Sequence, residues 1–403
     1  MSTFSVTQTP DFLQAVHNPM RVGVRKSDYK VGELFYIDVW TITDKNMRNA
    51  STPKTTGTLL GTRAINGPGD GSATFDISSI LSQVFQSDDY DTAPTLSPYQ
   101  AAKSESGYVG YWFKLGYITY NAQNQQVKTQ EYELPEVQWA VRAALPLAES
   151  NANYFNSGRM ADYCYRHDFE PVQYATSIPD TTKRNRSEDT LLPFFCPYRD
   201  AASGATLTAT AELYFADGTT QTGYTLNTTQ MTSGGLFVVN AFPGQFVLHP
   251  KYDDLTQYAV GISYSDSDNP DLTEIVRSRT FRVSKDIPYP NRVMFMNRLG
   301  GWDSIQVRRD TDTSIKFKSS SFQNTYGSRN YYVDASTSIT YYSSYLTQAE
   351  FAWLKDLKLS PVIYLNGDYV LQQDGDFKLD TSVGLFNYEL TIAPQQDENA
   401  IRL

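Results

Sequence analysis

The sequence predicts a mainly β protein made of several β-sandwich-like domains with two short helices. Three observations carry that expectation. The 403 residues include 29 Tyr, 21 Phe and 5 Trp, and flat aromatic rings suit the pleated, half-buried surface of a sheet. Period-two alternation recurs along most of the chain. Asp217-Gly218 and Asn366-Gly367 separate alternating runs, the pattern of a two-residue hairpin.

Residues 1–145 read as a sheet-rich N-terminal domain with a small helix. Leu34–Ile42 and Tyr108–Tyr120 are strand-like, and a turn near Asn121–Gln126 leads into a further strand. Between them Asp76 precedes Ile77, Ile80, Leu81 and Val84, an apolar stripe at helical spacing behind an N-cap residue. Residues 146–205 show no sustained period and read as an irregular connecting excursion. Residues 206–286 return to alternation, with five or more short strands that predict a β-sandwich. Asp286–Asn291 holds two prolines and marks a boundary. Residues 287–403 form a C-terminal β domain. Its helix is announced by Leu346-Thr347-Gln348-Ala349-Glu350-Phe351, a capping box with an apolar staple, and Pro361 stops it.

The formal net charge is −10, and the densest basic cluster is Thr181–Arg186. Sequence-independent nucleic-acid binding needs a basic footprint that is missing, so this cluster reads as a solvated loop. No apolar run approaches the length that spans a bilayer, and the first residues lack the charged and apolar parts of a signal peptide. The chain is expected to be made in a cytoplasm and not to insert into a membrane.

A search for chemistry finds no convergent set. His17, His167 and His249 lie in separate segments. Cys164, His167 and Asp168 place thiol, imidazole and carboxylate within five residues, but groups on one short stretch seldom face each other. Cys164 and Cys196 suit small buried thiols, with a single bridge as the alternative. The carboxylates Asp88, Asp89 and Asp91, and Asp266, Asp268, Asp271 and Glu274, read as acidic turns. A calcium loop at Asp266 stays open, although Asp271 stands where an EF-hand needs Gly and Arg277 where it needs Glu. Asn66–Ser72 is Gly-rich but lacks the Lys and helix of a phosphate loop. Neither enzyme activity nor a cofactor is expected.

The opening TPDFLQAVHNPMRVGV, the segment MFMNRLGGWDSIQV and the later LKLSPVIYLNGDYVLQQDG resemble segments of tail or tail-tip virion proteins of phages and prophages from the Bacteroidetes. The resemblance covers both ends and leaves the middle out. It implies a virion building block around the distal tail or baseplate, and it transfers no catalytic residue. NRLGGWD is its most distinctive part, read from the residues alone as a Gly-Gly bend with Trp302 as a core anchor.

The resulting expectation is a structural tail protein that closes into a homo-oligomeric ring and contacts other virion proteins, possible host-surface glycans among its partners. The rival is a receptor- or carbohydrate-binding protein that stacks Tyr on sugars. The candidate interface residues are Tyr154, Phe155, Tyr163 and Tyr165 in the excursion, and Tyr331, Tyr332, Tyr341 and Tyr342 in the C-terminal domain. A structural protein spreads such rings over extended surfaces, whereas a glycan binder gathers them in a groove beside carboxylates.

Overall fold

The computed structural model describes residues 4–48, 54, 57–86, 101–104, 107–145, 160–166, 170–199, 204–373, 377 and 385–393. The protein is mainly β, with several sheets and short helices at two places.

In the N-terminal part a three-stranded sheet, ordered Phe4–Gln8, Arg21–Lys26, Ser72–Asp76, shares one core with a larger sheet. Tyr108–Tyr120 is the spine of the larger sheet. It pairs along one edge with Leu34–Ile42, and along the other with Gln138–Val141 and then Gln126–Glu133. Alternation aims Phe35, Ile37, Val39, Phe113 and Leu115 into the core. The helix expected after Asp76 is present but short, a single turn Ser78–Leu81 followed by a 3-10 turn, Ser82–Gln86, and its N-cap position is Ile77 rather than Asp76. Asp76 Oδ1 accepts from the Ser78 amide at 3.0 Å and from the Met20 amide at 3.1 Å. The carboxylate therefore ties the helix start to a neighbouring strand.

The middle is a sandwich. Its larger sheet is ordered Thr182–Asn185, Thr273–Ser284, Leu255–Ser265, Thr206–Phe215, Thr220–Gln230. The facing sheet is Leu191–Cys196, Gly235–Asn240, Ala102–Ser104. Tyr174 lies between the two layers: its ring meets Phe194 edge-on at 6.4 Å and its hydroxyl donates to the Val260 carbonyl at 3.0 Å.

The excursion expected over 146–205 is corrected for the part described. It supplies an edge strand to each sheet of the sandwich, Thr182–Asn185 and Leu191–Cys196. The second of these is buried at every position. Leu192, Phe194 and Cys196 enter the sandwich core, while Phe195 enters the N-terminal core. Burial on both faces removes the period-two signal, which is why the stretch reads as unpatterned. Pro193 is tolerated because the strand lies at a sheet edge, where a missing amide donor breaks no ladder.

The C-terminal part is a seven-stranded sheet ordered Asp368–Tyr369, Ile363–Leu365, Asn291–Met296, Trp302–Asn324, Gly327–Ser343, Glu389–Ala393, Leu371–Gln372. The capping box is formed: Thr347 accepts from the Glu350 amide, and Glu350 accepts from the Thr347 amide at 2.8 Å. The helix runs Gln348–Trp353 and resumes as Lys355–Leu359. Its buried face joins the sandwich in one continuous core that contains both Leu213 and Leu354. The prolines at Asp286–Asn291 thus separate strands without separating cores.

Candidate functional site

The segment NRLGGWD is where all three parts meet. Asn297 Oδ1 accepts from the amides of Leu299 and Gly301, both at 3.0 Å. Its Nδ2 donates to the Ala175 carbonyl at 2.9 Å and to Asp303 Oδ1 at 3.0 Å. From the N-terminal part, the Ala144 amide donates to the Arg298 carbonyl at 2.8 Å. Gly300 has φ +80°, and a Cβ there would stand 2.5 Å from Val141 Cγ1. A Cβ on Gly301 would stand 2.4 Å from Pro193 Cγ. The first glycine supplies a left-handed turn and the second permits close approach of two chain segments.

Asp303 closes this junction. Its Oδ2 accepts from Trp353 Nε1 at 2.7 Å and from Thr176 Oγ1 at 2.8 Å. Burial pushes the carboxyl up to about 6, the nearby Asp356 adds to the rise, and the donors from Trp353, Thr176 and Asn297 oppose it. Asp356 is raised as well, by burial first, against the Ser177 hydroxyl and the Arg298 guanidinium.

A second buried tie runs beside it. Arg184 Nη1 donates to Glu188 Oε1 at 2.8 Å and to the Ser304 carbonyl at 3.0 Å. Glu188 Oε1 also accepts from the Gln306 amide at 3.1 Å. Glu350 Oε1, besides its capping role, accepts from the Lys183 amide at 2.9 Å. The basic cluster expected as a solvated loop is corrected: Thr182–Asn185 is a strand and Arg184 is 1 % exposed. These contacts make 170–190 a weld between sandwich and C-terminal sheet.

The interface candidates fall differently. Tyr165 is buried in the chain's own core, which corrects its assignment to a partner face. Tyr163 packs half-buried on the N-terminal core. Tyr341 packs on the shared core, and burial raises its hydroxyl pKa. The Tyr342 hydroxyl donates to Asp312, with Arg308 over the ring at 5.8 Å. Tyr154 and Phe155 lie outside the described residues, as do the side chains of Tyr331 and Tyr332. Trp302 is buried against Tyr364, ring centroids 5.9 Å apart.

Among the described residues the chemical candidates do not converge. Cys164 and Cys196 are buried, form no disulfide and belong to different cores. Burial pushes the Cys164 thiol up to about 12, which leaves it protonated and a poor nucleophile. His167 and Asp168, and the carboxylates Asp88, Asp89 and Asp91, lie outside the described residues. Burial alone would raise Asp266, but the Tyr264 hydroxyl, the amides of Asn269 and Asp268 and the Arg199 guanidinium outweigh it and hold the carboxyl below its ordinary value. That loop is thus closed by its own hydrogen bonds. Among the described residues no group of three or more His, Cys, Asp or Glu is placed to hold a metal ion.

A cavity of about 550 Å³ opens beside Cys164, lined by Asp11, Asp162, Glu170, Arg166 and Arg277, with Phe12 the one aromatic among the described residues that line it. The strongly exposed rings lie elsewhere, at Tyr289, Phe317, Tyr326 and Tyr345, along the C-terminal sheet and its extension. That extension, missed in the sequence, is a two-stranded ribbon. The pairing of Trp302–Asn324 with Gly327–Ser343 continues to Asn324↔Gly327. Their outer neighbours stop far earlier, at Val307 on one side and Ile339 on the other.

No family model matches the chain, and no curated protein matches it. Among solved structures it is similar to one titled biofilm associated protein, BSP domain, at 12 % identity over 85 % of this chain. The chain spans 63 % of that structure's length, and the TM-score of 0.16 carries no argument about fold or role.

Proposed function

We propose that the chain is a non-enzymatic structural protein of a bacteriophage tail, of the distal-tail or baseplate type. In this reading it closes into a ring of identical copies, contacts other virion proteins and resides in the virion. One observation carries the preference for a building block over a glycan binder. Among the described residues the most exposed rings are strung along one sheet and its ribbon, and the described lining of the large cavity has three carboxylates but one aromatic, Phe12. Sugar recognition gathers rings and carboxylates in one place, whereas assembly distributes them. The weld through Asn297, Asp303 and Arg184 supports the same reading, because a ring element has to transmit load without hinging. The resemblance at NRLGGWD falls on that weld.

The test is the mass of the purified protein over a range of concentrations, together with negative-stain images. Closed rings of one size are the expected result. A monomer at every concentration that binds glycans on an array would replace this reading with receptor binding. Hydrolysis of a polysaccharide by the folded protein would replace it with an enzyme.

A further inference from the structure

The ribbon is amphipathic, and its apolar face continues a face that the body buries. Residues directly opposite in an antiparallel pair point to the same side, as do residues two apart on one strand. Thr311 faces Tyr341 and Thr313 faces Ile339; both Tyr341 and Ile339 pack on the shared core. Further out on that side come Ile315 and Phe317, 45 % and 71 % exposed. The other side carries Asp312, Ser314 and Lys316, with Phe322 following on it only near the tip. From Thr313 to Asn324 the ribbon extends roughly 37 Å at about 3.4 Å per residue.

Two strands alone are marginal in water, and an apolar stripe needs a cover. Charge indicates which cover. Residues 313–338 carry Lys316, Lys318 and Arg329 against Asp334, a net +2 within a chain of −10, so the remainder carries −12. A basic ribbon is therefore attracted to the body of another copy.

We propose that the ribbon is a clasp: its Ile315–Phe317 face lies on the body of a second copy of this chain. Each copy then gives one ribbon and receives one, a heterologous head-to-tail contact of the kind that closes rings. The inference rests on the self-assembly proposed above and names the element that performs it.

The test uses full-length protein. Phe317→Ser and Ile315→Thr together should raise the midpoint concentration of assembly by about tenfold to a hundredfold, since burying one such side chain is worth roughly 1.5–3 kcal/mol. The melting temperature of the subunit should not move, because neither side chain is in its core. Lys316→Glu should weaken assembly in the same direction, and added salt should reduce its effect. In mixtures of isotopically light and heavy protein, cross-links from Lys316 should join light to heavy chains. If wild type assembles and the variants match it, or Lys316 links only within its own chain, the clasp is wrong and self-assembly survives. If wild type stays monomeric at every concentration, both proposals fall.

Discussion

The indole of Trp353 and the carboxylate of Asp303 meet through one hydrogen bond of 2.7 Å, in a place where both are buried. One residue ends a helix and the other is the second residue of the long strand Trp302–Asn324. Thr176, from the middle of the chain, donates to the same oxygen. Each donor satisfies an acceptor that would be costly to bury alone.

Asp303 should make stability depend on pH. Its folded value, about 6, lies above the ordinary 3.8, so the folded state holds the proton more tightly. The contribution is fully present below the unfolded value and is lost as pH rises through the folded one. The stability of wild type relative to Asp303→Asn should fall by roughly 2–3 kcal/mol between about pH 3 and about pH 7. Urea titrations at several pH values measure it, and a constant difference would contradict the assignment.

Arg184 and Glu188 form a buried pair whose removal depends on how it is done. Glu188→Ala leaves the guanidinium buried without its partner and should cost about 3–5 kcal/mol. Replacing both, Arg184→Met with Glu188→Leu, should cost much less, because no charge is left buried. Equal losses in the two variants would show that packing rather than charge dominates.

Trp302→Ala should destabilise the protein by about 3–5 kcal/mol, the range for a large aromatic lost from a core. Thermal melts would settle it, with an unchanged midpoint as the contrary result.

Limited proteolysis gives a fourth check. An irregular excursion would be cut readily, but 170–199 carries Tyr174, Phe194 and Phe195 inside the chain's own cores. The isolated protein should therefore resist cleavage throughout that span, before any assembly. Early cuts there would mean that its packing depends on a partner.

What was legible in the sequence was local. The Thr347–Glu350 box is closed by groups three residues apart, and Asn366 and Gly367 both adopt the positive φ that their pairing announced, 54° and 98°. The illegible parts depend on distant chain. Leu191–Cys196 loses its alternation because a different core lies on each side. The ribbon hides for a different reason: Ile315 and Phe317 alone mark its apolar side in a run of Ser, Thr and Lys, too short an alternation to stand out, so only the long pairing register defines it. NRLGGWD could be singled out as distinctive and its bend anticipated, but nothing local says that Pro193 must come within reach of Gly301.

The small sheet that joins Leu191–Cys196, Gly235–Asn240 and Ala102–Ser104 also sets a schedule for biosynthesis. Ser104 pairs opposite Leu236, which follows it out of the ribosome only after roughly ten seconds at ordinary elongation rates. Through that interval the nascent N-terminal part carries an unpaired strand, Ala102–Ser104, and an uncovered patch around the future position of Phe195. Folding cannot proceed as one finished domain after another, so expression truncated before Leu236 should yield aggregates, and slowed translation or chaperone supply should govern the yield of the whole chain.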